Sequence, residues 1–283
     1  MKADESVQEA WPPPSLVEEI RDSLGGRESE VGLVLGSGLG GIADALEDSW
    51  TRPAREMEGY PESSVAGHEG RLHLGRFGGH MVWLVQGRVH LYEGHTAERA
   101  TRYVRLLHAL GVRNLILTNA AGAAEKRVGP GSIVLADDAV SMFFRPLSQA
   151  GASSEDGTGP TAAWRMRSAL SDPDLIGLAE NVGRARKIAF TRGVLVGASG
   201  PCYETAAEIR LWQRLGGTVA SMSTVPEAIV ARELGMRILM FSLVTNYGTG
   251  LSRESLTHED VVRQADAAGQ RLRDLLEGIV AGI

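Results

Sequence analysis

Residues 87–94, GRVHLYEG, place Arg88, His90 and Tyr92 at alternate positions. In an extended segment that spacing turns all three side chains to one side and makes a polar, cationic face. Arg offers phosphate a planar fork of donors, and His adds a donor whose charge can follow its ligand. The alternative is a solvated face on an edge strand. A second anion-shaped feature is VGLVLGSGLGG, Val31 to Gly41, an apolar run that ends in glycines and continues as the helix-like IADALED. A strand, a glycine turn and a helix start would aim unpaired N–H groups and a helix dipole at one point, beside Ser37. The same string, Gly36-x-Gly38-x-x-Gly41, fits the dinucleotide fingerprint, with Glu56 or Glu58 at about the distance of a ribose-binding acid. It also fits a tight turn that holds nothing.

Further polar residues fall at the ends of elements. Thr205-x-x-Glu208, Thr224-x-x-Glu227 and Thr257-x-x-Asp260 read as capping boxes, so Glu204, Ser223 and His258 lie at or beside helix starts. RILMFSLVTN, 237–246, is a strand that delivers Asn246 at its end. Ligands in an open α/β sheet collect outside the carboxyl ends of the strands, so these residues are expected to converge with the glycine turn. Histidines are scattered, and neither His90/His95 nor His68/His73 is set among Cys or carboxylate ligands, so no metal site is expected. His68, in AGHEGRL, either lines the site or caps its turn.

The elements that must hold these groups alternate. RLHLGRFGGHMVWLVQG reads as two antiparallel strands joined at Gly78-Gly79. Ala100, Tyr103, Val104, Leu107 and Leu110 follow helical spacing, Gly111 closes that helix, and NLILTNAAG follows as a buried strand. GSIVLADDAV and RGVLVGAS are further strands. In the last helix Leu272, Leu275, Leu276 and Ile279 form one packing stripe. Residues 141–187 carry weak signals and read as loop-rich. Pro12, Pro13 and Pro14 separate a loose leader, 1–14, from the first helix. The expectation is an α/β fold in a single domain spanning 1–283.

Composition narrows the class. The 283 residues are 43% hydrophobic and 23% charged, with a net charge of −6, so no overall positive field favours nucleic acid or an anionic membrane. The single cysteine, Cys202, excludes an intramolecular disulfide and reads as a small packed residue. The N-terminus has no apolar signal region and the most apolar segment, 238–244, is too short to span a bilayer; the expectation is a soluble, cytoplasmic protein.

In order along the chain, VLGSGLGG, GHEGRLHLG, QGRVHLYEGH, LTNAAG, GPCYETAAEIR, MSTVPEAIVAR and SLVTN resemble the trimeric class of purine nucleoside phosphorylases, over roughly residues 30–140 and 190–283. The resemblance implies a mixed, distorted sheet flanked by helices, a homotrimer, and reversible phosphorolysis of 6-oxopurine nucleosides in purine salvage. Inorganic phosphate would be a co-substrate and no cofactor is implied. It assigns phosphate to Ser37, Arg88, His90, the Ala120 backbone and Ser223, ribose to Tyr92, Met222 and His258, and the base to Tyr203, Glu204 and Asn246. Asn246, Glu204 and His90 would be catalytic.

The likeness fails between Ser141 and Lys187, where the family has an aromatic residue that reaches the neighbouring subunit's site; Trp164, Phe143 and Phe144 are the candidates here. Tyr203 stands where the family more often has Phe. A methylthioadenosine phosphorylase-like enzyme and a catalytically weak nucleoside-binding protein are the competing readings.

Overall fold

The computed structural model describes residues 11–36, 39–63, 70–143 and 169–251, and 258–283 with side chains from 267 onward. Its strands are β1 (Val31–Val34), β2 (Glu47–Pro53), β3 (Arg71–Phe77), β4 (His80–Gln86), β5 (Asn114–Ala123), β6 (Ile133–Met142), β7 (Thr191–Ala198), β8 (Val219–Ser221) and β9 (Arg237–Tyr247). Its helices are α1 (Pro14–Ser23), α2 (Ala97–Ala100), α3 (Arg102–Ala109), α4 (Pro173–Arg186), α5 (Ala206–Arg214), α6 (Val225–Glu233) and α7 (His258–Gly282). The strands form one mixed sheet in the order β2-β3-β4-β1-β5-β8-β7-β6-β9. Because β5 also pairs with β9, strands β5, β8, β7, β6 and β9 close into a ring, and the rest extend from it as open sheet.

Neighbouring strand residues point to opposite faces, and both faces are covered. Leu115 and Leu117 of β5 belong to the core that packs Leu16, Ile20, Tyr103, Val104 and Ala228 of α1, α3 and α6. Ile116 between them faces a second core with Leu175 and Ala179 of α4 and Leu272, Leu275, Leu276 and Ile279 of α7. This two-sided burial is why β5 and β9 read as continuous apolar runs. Ile209 and Trp212 of α5 close a smaller cluster on Val196 and Ala220.

Local chemistry sets the joints. The β3–β4 hairpin turns at Gly78 and Gly79, both at positive φ (58° and 85°), as a two-residue primed turn requires. Thr96 caps α2 by accepting from Arg99 N–H at 3.1 Å, and Thr205 and Glu208 make the expected capping box on α5. Gly36 is required by space: a Cβ there would lie 2.5 Å from Asn119 Cα, so β1 and β5 could not approach as they do.

Several expectations are corrected. The glycine turn leads into a short 3-10 stretch, Gly40–Ala45, and then the edge strand β2, so no α-helix aims its dipole there and the dinucleotide reading loses its helix. Ser37 lies outside the described residues. Residues 141–187 are not simply loop-rich: β6 runs to Met142, and α4 begins at Pro173 behind the cap Asp172, with 144–168 outside the described residues. The leader ends earlier than expected. Pro14 is already helical, and Trp11 packs edge-on against Tyr60 at 6.2 Å, with the Arg102 guanidinium 5.6 Å over its ring. Cys202 is exposed, since it precedes α5 on a surface turn. Among the described residues no helix is long and apolar enough to cross a membrane.

Asp172 joins α4 to the sheet. Its Oδ1 accepts from Asp174 and Leu175 N–H, each at 3.1 Å, and from Arg237 Nη2 at 3.2 Å. Burial pushes its carboxyl up, but the Arg237 guanidinium and the two backbone donors outweigh that and hold it below the ordinary aspartate value. Its contribution is therefore complete above the unfolded-state pKa and is lost as pH falls through the depressed native one. Asp172→Ala should lower the unfolding free energy by about 1 kcal/mol at neutral pH in urea titrations. The gap to wild type should narrow as the medium is acidified through that range.

Candidate active site

The carboxyl ends of β5, β7, β8 and β9 meet in one cavity of about 380 Å³. Ala120, Ala121 and Gly122 come from β5, Ala198 from β7, Ser221 from β8, and Thr245 and Asn246 from β9. Arg88, His90 and Tyr92, from the segment after β4, join Pro201, Tyr203, Glu204, Met222 and Ser223 around it. A larger depression of about 600 Å³ lies by α4 and β7, lined by Arg184, Lys187 and an Arg192 that bonds Glu180 and Asp137. None of the expected residues reaches it.

At one end of the smaller cavity sits a buried cation. Arg88 is 3% exposed; its Nη1 donates to Ser223 Oγ at 2.7 Å and to Thr224 Oγ1 at 2.9 Å, and its Nε lies 3.4 Å from Glu227 Oε1. Tyr103 OH donates to the same carboxylate oxygen at 3.0 Å, and burial, with Glu227 next, holds that phenol far above its ordinary pKa, so it stays a donor. Thr224 and Glu227 thus form no capping box. Thr224 has φ +75° and its side chain bonds nothing in α6, while Glu227 turns inward to the guanidinium.

His90 is fixed by Glu93, whose Oε1 accepts from the His90 backbone N–H at 2.6 Å and lies 3.3 Å from Nδ1. A carboxylate only accepts, so Nδ1 carries a proton. The expected single extended face is corrected here: β4 stops at Gln86, Gly87 takes φ +82°, and Tyr92 lies in a 3-10 turn, Leu91–Glu93. Arg88, His90 and Tyr92 still meet in the cavity because that turn stacks the Tyr92 ring on His90 at 4.8 Å. Burial, then Glu93 and Tyr203, raise the Tyr92 phenol, which keeps it a donor at neutral pH.

The other end is an amide beside a carboxylate. The point a Cβ on Gly122 would occupy lies 3.2 Å from Asn246 Nδ2 and 3.4 Å from Glu204 Oε1. Thr245 Oγ1 donates to Asn246 Oδ1 at 2.9 Å, and Asn246 Nδ2 donates to Tyr247 O at 3.1 Å, which fixes the amide and leaves the second Nδ2 hydrogen for a ligand. Ser221 Oγ donates to Ala120 O at 3.0 Å and anchors that peptide. Tyr203 stands at the rim, 74% exposed.

Arg88, His90, Ala120, Ser223, Tyr92, Met222, Tyr203, Glu204 and Asn246 are therefore brought together, while Ser37, His68 and the His258 side chain lie outside the described residues. Phe143 is buried in the core, so it is not available to a neighbour, and Phe144 and Trp164 lie outside the described residues. The sequence reading missed Thr224, Glu227, Tyr103, Glu93, Ser221 and Thr245. Glu93 carried a local signal, an acid three residues beyond His90, and Thr245 adjoins Asn246. Tyr103 and Glu227 meet across 124 positions with none. Among the described residues no group of three or more His, Cys, Asp or Glu could hold a metal ion.

Residues 30–281 match the Phosphorylase superfamily. Purine nucleoside phosphorylase 1 of Bacillus subtilis (strain 168) is 36% identical over 258 residues, 89% of this chain and 92% of the relative. The Geobacillus stearothermophilus protein of the same name is 37% identical over 238 residues, 84% of this chain and 85% of the relative. A crystal structure of schistosoma purine nucleoside phosphorylase in complex with hypoxanthine is 31% identical, covers 94% of this chain and 95% of its own, and superposes with a TM-score of 0.78. The chain belongs to the phosphorylase superfamily and, within it, is an enzyme of the purine nucleoside phosphorylase family.

Breaking a buried ion pair by removing one partner leaves the other charge uncompensated. Glu227→Gln should therefore lower the unfolding free energy by about 3 kcal/mol in denaturant titrations. The double variant Arg88→Met, Glu227→Leu should recover much of that loss, because no charge is left buried.

Proposed function

We propose that this member of the purine nucleoside phosphorylase family cleaves 6-oxopurine ribonucleosides and deoxyribonucleosides reversibly with inorganic phosphate, giving free base and (deoxy)ribose 1-phosphate in purine salvage. One observation carries the reading: a buried Arg, an oriented His and a Ser hydroxyl at one end of a cavity whose other end presents an amide N–H donor and a carboxylate. The first set suits a phosphate dianion and the second suits the edge of a purine. The ribose would lie between them, against Tyr92 and Met222, with His258 at its 5′ end and Ser37 on the phosphate.

The chemistry follows from charge. Phosphate oxygen attacks C1′ as the C1′–N9 bond breaks and its electron pair leaves with the purine. The sugar passes through an oxocarbenium-like state beside the bound dianion, as in glycoside hydrolysis. Charge arriving on the base is met at N7 by the Asn246 N–H, which Thr245 and Tyr247 hold in orientation before reaction. Glu204 accepts from the N1–H of a 6-oxopurine, whereas adenine would meet it acceptor to acceptor. The reaction so written uses phosphate as co-substrate and no further cofactor.

A homotrimer in the cytoplasm accords with this reading. Among the described residues, Tyr203 at the cavity rim, Leu211 in α5 and Leu215 at its C-terminal cap are large apolar residues left exposed, at 74%, 48% and 47%. Sedimentation at a single chain mass would contradict it.

Inosine with phosphate should yield hypoxanthine and ribose 1-phosphate, and without phosphate no hypoxanthine should form. Asn246→Ala should lower kcat by about 100-fold, in the range set by loss of one transition-state donor. Glu204→Ala should cut inosine turnover and shrink the preference for inosine over adenosine and methylthioadenosine. Absence of phosphate-dependent product from every purine nucleoside sinks the proposal.

A further inference from the structure

Thr224 has the most strained backbone near the site. It sits at φ +75° and ψ −46°, and Val225 N–H donates to Ser223 O at 2.9 Å across it. That is a γ-turn of positive φ, a rare conformation that is costly above all for a β-branched residue. Such strain persists only where the surroundings over-determine it.

What over-determines it here is visible. Thr224 is 0% exposed, and its Oγ1 accepts from Arg88 Nη1 at 2.9 Å and from Asn119 Nδ2 at 3.0 Å. Ser223 Oγ takes the other hydrogen of the same Nη1 at 2.7 Å. In an ordinary N-cap the Thr224 hydroxyl would bond an N–H of the first turn of α6 instead. The γ-turn swings it away from the helix and places it where two segments distant in sequence meet: Arg88 after β4, and Asn119 in β5, next to the cavity-lining Ala120.

We propose that Thr224 is a positioning residue for the anion site, and that its strained turn exists to tie the Arg88 guanidinium to the Asn119 side chain of β5, beside Ala120. This rests on reading that end of the cavity as the phosphate site. Thr224 does not touch the anion. It holds the groups that do, so its removal acts on phosphate before it acts on nucleoside.

The test is calorimetric titration with inorganic phosphate, with phosphate and inosine KM values measured alongside, on wild type, Thr224→Val, Thr224→Ser and Thr224→Gly. Val keeps the shape and removes the hydroxyl; the phosphate dissociation constant and KM should rise about tenfold or more, as for a lost hydrogen bond to a charged group, with inosine KM little changed. Ser restores the hydroxyl and should bring phosphate binding back near wild type. Gly accepts the turn without strain yet lacks the hydroxyl, so it should bind phosphate as poorly as Val. Wild-type phosphate affinity in Val or Gly, or failure of Ser to restore it, overturns the proposal. If Val does not fold, Gly and Ser decide between them. A wild-type protein that binds no phosphate overturns the phosphate-site reading and this proposal with it, an outcome distinct from equal binding across the series.

Discussion

The buried guanidinium of Arg88 is the constraint on which the rest of the site depends. A charge removed from water is expensive unless it is both paired and hydrogen-bonded. Here the partners come from α6 (Glu227), from the turn before α6 (Ser223 and Thr224) and, through Glu227, from α3 (Tyr103). None is near Arg88 in sequence. The core on this face of the sheet must therefore set α3 and α6 correctly before the cation is tolerable, and that core includes Tyr103 itself, 1% exposed.

The closed ring of strands does the corresponding work at the other end. Pairing β5 with both β8 and β9 brings Gly122 opposite Ala220 on one side and Asn246 on the other. The absence of a side chain at Gly122 leaves room for the Asn246 amide and the Glu204 carboxylate to face one space. Positioning of this kind is sensitive at the scale of a methyl group, since interiors are close-packed and relax only in part. The end of β9 holds the Asn246 amide and the segment between β7 and α5 holds the Glu204 carboxylate, while the segment after β4 and the turn before α6 hold the cationic end of the cavity.

Much of this was legible in the sequence because its causes are local. Alternation with two glycines marked the β3–β4 hairpin, helical spacing closed by Gly111 marked the helical stretch before β5, and continuous apolar runs marked β5 and β9. Ordered motifs named Arg88, His90, Ser223, Glu204 and Asn246, and the cavity gathers them. What misled was also local. Thr224-x-x-Glu227 has the letters of a capping box, but tertiary pairing with Arg88 outbids the helix end for both side chains. The glycine turn suggested a helix because IADALED has helical residues, yet the chain needs its next segment as the edge strand β2. Helix α4 was missed because 141–187 reads as loop-rich, although Asp172 before Pro173 has the letters of an N-cap. Pairings such as Tyr103 with Glu227 have no local trace and follow from topology alone.

The central claim is that phosphate held by Arg88, His90 and Ser223 attacks C1′ while the base departs toward Asn246 and Glu204. The most direct measurement is mass spectrometry of the sugar product formed from inosine and phosphate fully labelled with oxygen-18. Attack by bound phosphate breaks no P–O bond, so the account predicts ribose 1-phosphate carrying every labelled oxygen, in equal amount to hypoxanthine. Free ribose formed in place of the phosphate ester would contradict it.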